Sequence, residues 1–240
     1  PESDADLSPD HPARKRLAYD ELLANQLALA LIRAKMRTLG GRVTQGDGRL
    51  RKALEAQLSF AMTGAQQRAL NDIYADMGSN GRMLRLLQGD VGSGKTVVAL
   101  MAMLNAIETG RQAALMAPTE ILARQHFETI SPLLEKIGVT CAVLTGRDKG
   151  KNRKATLEGF ATGEFQIAVG THALFQEDVQ FRDLAFAVVD EQHRFGVHQR
   201  LMLAGKGQAV DVLVMTATPI PRTLTLTAFG DMEVSKLDEK

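Results

Sequence analysis

Residues 89–96 read Gly89-Asp90-Val91-Gly92-Ser93-Gly94-Lys95-Thr96, a complete G-x-x-x-x-G-K-[ST] phosphate-loop pattern. Glycines let the backbone curl until successive N–H groups point at phosphate oxygens, and a helix opening just after them adds its positive end. Lys95 is placed to reach the outer phosphates of a nucleotide, and the Thr96 hydroxyl to coordinate Mg²⁺. The competing reading is a glycine-rich strand-to-helix turn; the full match between an expected strand and an expected helix favours a nucleotide site. A second cluster, Phe186-Ala-Val-Val-Asp190-Glu191, sets two carboxylates at the end of an apolar run. Asp190 stands where a Walker-B aspartate would hold Mg²⁺, and Glu191 where a carboxylate would orient or deprotonate the attacking water. Adjacent acids are tolerated there because the metal and Lys95 offset their repulsion. Together the two clusters point to hydrolysis rather than binding alone.

These side chains need a scaffold that brings them together. From Phe60 onward, short apolar runs alternate with longer helical segments. The runs predict strands at Met83–Gln88, Ala113–Ala117, Cys141–Thr145, Gln166–Gly170, Phe186–Asp190 and Val212–Thr216. They are nearly continuous in apolar residues, as expected of parallel strands covered on both faces. Helices are expected between them, among them Thr96–Thr109 and Glu120–Ile137. Repeated β-α units give a doubly wound, mostly parallel α/β sheet, whose ligands bind at the carboxyl ends of the strands. Both clusters fall on such ends.

Ahead of this domain, residues 1–57 read as a disordered lead-in followed by a helical arm. One helix is expected over Arg14–Thr38, with Leu23, Leu27 and Leu31 on one stripe. Gly40–Gly48 reads as a loop, and a second helix is expected over Leu50–Leu58. The boundary with the α/β domain is placed at 57/58.

The 240 residues carry a net charge of +1 that is unevenly spread. Residues 1–10 hold four acids and no base, whereas 11–57 hold ten Lys/Arg against four Asp/Glu. A further basic run, Arg147–Lys154, has five bases and one acid. Such runs can bind polyanion phosphates, or be a solvated helix face and an exposed loop. Hydrophobic residues at 45% and charged residues at 24% exclude a disordered tail, a collagen and a coiled-coil rod. No stretch reaches the roughly 18 uncharged apolar residues of a membrane span. A lone cysteine, Cys141, rules out a disulfide framework and suits a reducing cytoplasm, and no Cys/His cluster has zinc-ligand spacing.

Asp190-Glu-Gln-His193 is a DExH signature, and with its neighbours it resembles the superfamily 2 helicases. The resemblance implies a RecA-like fold and several further roles. Thr216-Ala217-Thr218 is similar to the motif that couples the nucleotide site to nucleic-acid movement, with His193 linking the γ-phosphate region to it. The other reading of His193 is a partly buried structural histidine. Phe60–Gln66 resembles the segment whose glutamine, here Gln66, reads the adenine. Pro118 and Thr119, Gly146 and Arg147, and Thr171 and His172 lie in strand-end segments similar to those that grip the nucleic-acid backbone. His126, on the helix after Glu120, reads as structural.

Residues 190–200 (DEQHRFGVHQR) and 215–224 (MTATPIPRTL) narrow the resemblance to the RecG family of bacterial branch-migrating DNA helicases. The arm resembles the helical linker before that family's first motor domain. Transcription-repair coupling translocases share the motor type, but Glu-Gln is expected there where this chain has Gln192-His193. The resemblance implies branched or double-stranded DNA as partner, ATP and Mg²⁺ as cofactors, a monomer, and a wedge domain and second motor domain elsewhere in the protein. The chain opens at Pro1 without a start methionine, so it is expected to be a piece of a longer protein. Without the second motor's arginines its ATP turnover is expected to be low, which would leave a nucleotide- and DNA-binding module. A small-molecule P-loop kinase would account for 89–96 but not for the remaining motifs.

Overall fold

The computed structural model describes residues 11–38, 40–190, 209–217 and 232–239. Its contacts divide the chain into two units, Pro1–Thr38 with Ile220–Asp231, and Leu39–Pro219 with Met232–Lys240. In the first unit, α1 runs from Pro12 to Thr38, about 40 Å at 1.5 Å per residue. Pro12 opens it, a position where the missing N–H costs nothing. Arg16 and Asp20 pair across one turn at 2.9 Å, and Leu17, Tyr19, Leu22, Leu23 and Leu27 are exposed.

The second unit is built on seven parallel strands: β1 (Leu84–Gly89), β2 (Gln112–Met116), β3 (Cys141–Leu144), β4 (Ile167–Gly170), β5 (Leu184–Asp190), β6 (Asp211–Thr216) and β7 (Glu233–Leu237). Their order is β3-β4-β2-β5-β6-β1-β7. The helices are α2 (Arg49–Glu55), α3 (Gly64–Met77), α4 (Lys95–Ile107), α5 (Glu120–Glu135) and α6 (Gly150–Thr162). Helix α4 is apolar on all sides because it is covered on all sides: every residue from Val98 to Ile107 is buried, between β1, β2 and β5 and helices α2 and α3. Helix α5 lies on β3 and β4, and α6 on β3. The six expected strands are present, with ends shifted by a residue or two.

Three features depart from the sequence reading. The division between units falls after Thr38, not at 57/58. Residues 40–57 are strapped onto the α/β core by polar groups at the end of α4: Asn105 bonds Thr44 O at 2.8 Å and Gly46 N at 3.0 Å. The fully buried Glu108 side chain accepts from Gly48 N, Arg51 N and Arg51 Nε at 2.8–3.0 Å. Leu50 and Leu54 of α2 enter the same core. Arg42 adds a forked pair to Asp183 at 2.6 and 2.8 Å, and that contact holds the Asp183 carboxyl below its ordinary range. Secondly, the basic run 147–154 enters α6 instead of staying a loop; only Gly159 and Phe160 of α6 are buried, so it carries little apolar periodicity to reveal it. Thirdly, β7 joins the sheet beside β1, with Ser235 and Leu237 buried. The lead-in 1–10 lies outside the described residues.

Candidate functional site

The phosphate-loop pattern leaves β1 and turns into α4. Gly89 must be glycine because a Cβ there would meet Ser93 Oγ at 2.6 Å and Leu237 Cβ at 2.9 Å. Gly92 and Gly94 both adopt φ +83°, backbone that disfavours L side chains. Gly94 is also the N-cap of α4 and leaves it without a side-chain cap, so the first amides of the helix face the loop as anion donors. The Lys95 ammonium folds over the loop and donates to Gly89 O at 2.6 Å and Asp90 O at 2.8 Å. Ser93 Oγ is buried with no hydrogen-bond partner among the described residues.

Gln66 connects this loop to α3. Its side chain is buried; Oε1 accepts from Thr63 N at 3.0 Å in a capping box, and Nε2 donates to Ser93 O at 2.9 Å. The glutamine that the family resemblance assigns to adenine therefore also fixes where the phosphate loop sits. Beside it, Glu239 caps α3 from the segment after β7, accepting from Ala65 N at 2.9 Å and pairing with Arg68 at 2.9 Å. The Ala65 N–H and Arg68 draw its carboxyl below the ordinary range.

The sheet order brings the second cluster alongside. Only β6 separates β1 from β5, so their carboxyl ends lie two strand spacings apart, about 10 Å. Asp190 ends β5, and the buried Thr216 ends β6 in register with Gln88 of β1. The Asp190 side chain is 14% exposed, and its Oδ2 lies 2.7 Å from His126 Nε2 of α5. Ala217 follows Thr216 half-buried. Glu191, His193 and Thr218 lie outside the described residues.

Hard oxygen donors, the Asp190 carboxylate and the Thr96 hydroxyl, fit Mg²⁺, which takes one or two protein groups and completes its shell with water and substrate phosphates. Among the described residues no group of three or more His, Cys, Asp or Glu forms a separate metal cage.

The segments assigned to nucleic acid sit on neighbouring strand ends. Thr119 is exposed and caps α5 through Leu122 N at 3.3 Å, with Pro118 half-buried before it. Gly146 and Arg147 are exposed after β3, and Arg147 pairs with Glu120 at 2.9 Å. Beneath them Asp148 accepts from Thr145 N at 2.6 Å and Thr145 Oγ1 at 2.9 Å, while Arg124 of α5 reaches both residues. Burial raises the Asp148 carboxyl, but these bonds outweigh it and hold it low. His172 is exposed, whereas Thr171 is 3% exposed and caps a 3-10 turn through Ala173 N. Of that pair, only His172 offers its side chain to solvent. Lys149, Lys151 and Lys154 are exposed nearby at the start of α6, but Arg153 is drawn back to Asp178 at 2.7 Å.

From the sequence His126 reads as structural, and Glu239 does not stand out at all. A single histidine on a helix carries no local signal, and Glu239 meets Ala65 across 174 positions. The one usable hint was the capping-box pair Thr63 and Gln66, which marks the start of α3.

Residues 63–227 match the DEAD/DEAH box helicase family. The chain is 49% identical over 233 residues to the ATP-dependent DNA helicase RecG of Haemophilus influenzae, covering 95% of this chain and 34% of that protein. It is 53% identical over 229 residues to that of Bacillus subtilis, with 95% and 33% covered. The chain thus spans about a third of the curated relatives it matches. Among solved structures, RecG bound to a three-way DNA junction superposes with a TM-score of 0.79 at 43% identity, over 94% of this chain and 30% of that one. Mss116p bound to single-stranded RNA and AMP-PNP shares the fold, with a TM-score of 0.63 at 18% identity over 81% of this chain and 43% of that one. Among the described residues no helix is long and apolar enough to cross a membrane.

Proposed function

This chain belongs to the DEAD/DEAH box helicase family, and from that premise we propose that it is the first RecA-like motor of a RecG-type, ATP-dependent translocase that remodels branched or double-stranded DNA. The observation that carries the proposal is the arrangement of adjacent strand ends. The phosphate loop after β1, Thr216 at the end of β6 and Asp190 at the end of β5 stand in a row on one edge of a parallel sheet. Relatives of high identity that are named ATP-dependent DNA helicases support the chemistry.

In this reading the loop amides and the uncapped start of α4 take the phosphates of ATP. Lys95 exchanges its carbonyl partners for the outer phosphates. Gln66 reads the adenine while holding Ser93, so nucleotide selection and loop geometry share one side chain. Thr96 and Asp190 hold Mg²⁺, which supplies charge neutralisation on the phosphate oxygens. Glu191 orients the attacking water. Thr216, Ala217, Thr218 and His193 transmit the change at the γ-phosphate to the strand-end surface of Pro118, Thr119, Gly146, Arg147, Thr171 and His172. That surface grips the DNA backbone, with Thr171 contributing through its main chain. The RecG relative solved on a three-way junction supports branched DNA as the substrate; repair, recombination and a cytoplasmic location follow from the same kinship.

The test is ATP turnover by the full-length protein with branched and linear duplex DNA. Branched DNA is expected to stimulate more strongly, and Lys95→Ala to abolish turnover. Unchanged turnover in Lys95→Ala would refute the site, and equal stimulation by linear duplex would refute the branch preference.

A further inference from the structure

Helix α5 does more than connect two strands. Its first turn is fastened to the loop after β3 through Glu120–Arg147 and, one turn later, through Arg124 to Thr145 and Asp148. The helix is therefore a fixed platform. From it His126 reaches past β3 and β4, on which α5 lies, and meets Asp190 at the end of β5. Both side chains are largely withdrawn from water, at 16% and 14% exposure, so this contact is not one of the weak surface pairs. A metal-holding carboxylate only accepts, so with Asp190 in that role the tautomer that fits the 2.7 Å contact has its proton on His126 Nε2 and donates to Oδ2.

An unrestrained aspartate rotates about χ2 with little preference between orientations. One hydrogen bond to Oδ2 selects one orientation and leaves Oδ1 for another partner. Groups that hold a metal-binding carboxylate in this way commonly set metal affinity without touching the metal. We infer that His126 is a positioning residue that orients the Asp190 carboxylate for Mg²⁺ when nucleotide binds. The inference rests on the proposed role of Asp190 as a metal-holding residue and extends it to a residue whose sequence context reads as structural.

The test uses the 240-residue chain and a fluorescent, non-hydrolysable ATP analogue, and measures the Mg²⁺ concentration that gives half of the Mg²⁺-dependent gain in binding. His126→Gln keeps a donor where Nε2 stands; His126→Phe keeps the ring and loses the donor; Asp190→Asn reports the metal site itself. His126→Phe is expected to raise the Mg²⁺ requirement about tenfold with metal-free binding unchanged, and His126→Gln to stay within about threefold of the parent. A raised requirement in both His126 variants would show that ring packing matters and overturn the hydrogen-bond role. No change in His126→Phe beside a raised requirement in Asp190→Asn would overturn the positioning role alone. No change in either would overturn the reading of Asp190 and this inference with it.

Discussion

Asp211, the first residue of β6, is an acid enclosed at the start of a fully buried strand. It is 1% exposed, its Oδ1 accepts from Met83 N at 2.8 Å, and its Oδ2 is buried with no hydrogen-bond partner among the described residues. Burial pushes its pKa from the ordinary 3.8 up to about 7; the Met83 N–H works against the rise, Asp76 adds to it, and Arg82 and Arg111 oppose it. Because the folded pKa lies above the unfolded one, the folded state binds the extra proton between about pH 4 and 7. The stability linked to this group is complete below about pH 4 and is lost as pH rises through about 7. At about 1.4 kcal/mol per pH unit, the loss between pH 5 and 8 comes to about 2–3 kcal/mol. Asp211→Asn keeps the acceptor for Met83 and cannot ionise. Urea unfolding of parent and variant at pH 5 and pH 8, followed by circular dichroism at constant ionic strength, isolates this group as the difference between the two proteins. The variant is expected to gain about 2–3 kcal/mol relative to the parent on going from pH 5 to 8. Carboxyls held low, such as Asp183 under Arg42, lose their contribution only toward acid pH and cancel in the difference. A parent–variant difference equal at the two pH values, or one that moves against the variant at pH 8, would refute the reasoning.

Other outcomes follow from single contacts. Glu108→Ala leaves Arg51 and two backbone amides without their buried acceptor, a loss of about 3–5 kcal/mol, so the melting temperature should fall on the order of 10 °C; a shift below about 2 °C would show that residues 40–57 are held by other means. Gly94→Ala combines positive-φ strain of about 1–2 kcal/mol with a Cβ 2.3 Å from Gln66 Nε2. Gly92→Ala carries the strain alone, since nothing lies within 4 Å of its Cβ, so Gly94→Ala should be the less stable in chemical unfolding, and equal stabilities would remove Gln66 from the account. Gln66→Ala loses the capping box and the bond to Ser93, about 2 kcal/mol together, and should bind ATP and GTP analogues with similar affinity; retained preference for ATP in a competition assay would take the adenine role away from Gln66.

Whatever is written in contiguous residues can be read before the chain folds. The phosphate loop is eight successive positions whose glycines, lysine and threonine each answer a local requirement, and the strands of a parallel sheet announce themselves as unbroken apolar runs because both of their faces are covered. Contacts between residues far apart in the chain exist only once the elements have packed. The sheet order sets β6 between β1 and β5, and so makes neighbours of Gly89, Thr216 and Asp190. It also brings His126 to Asp190 across 64 positions, and Glu239 back to the start of α3. Residues 40–57 contain their own helix and basic charge, yet their anchors are Asn105, Glu108 and Asp183, none of which a local pattern connects to them. Backbone conformation is chosen by neighbours along the chain, whereas polar contacts between elements depend on the packing that follows, and that is why the loop was legible and its supporting shell was not.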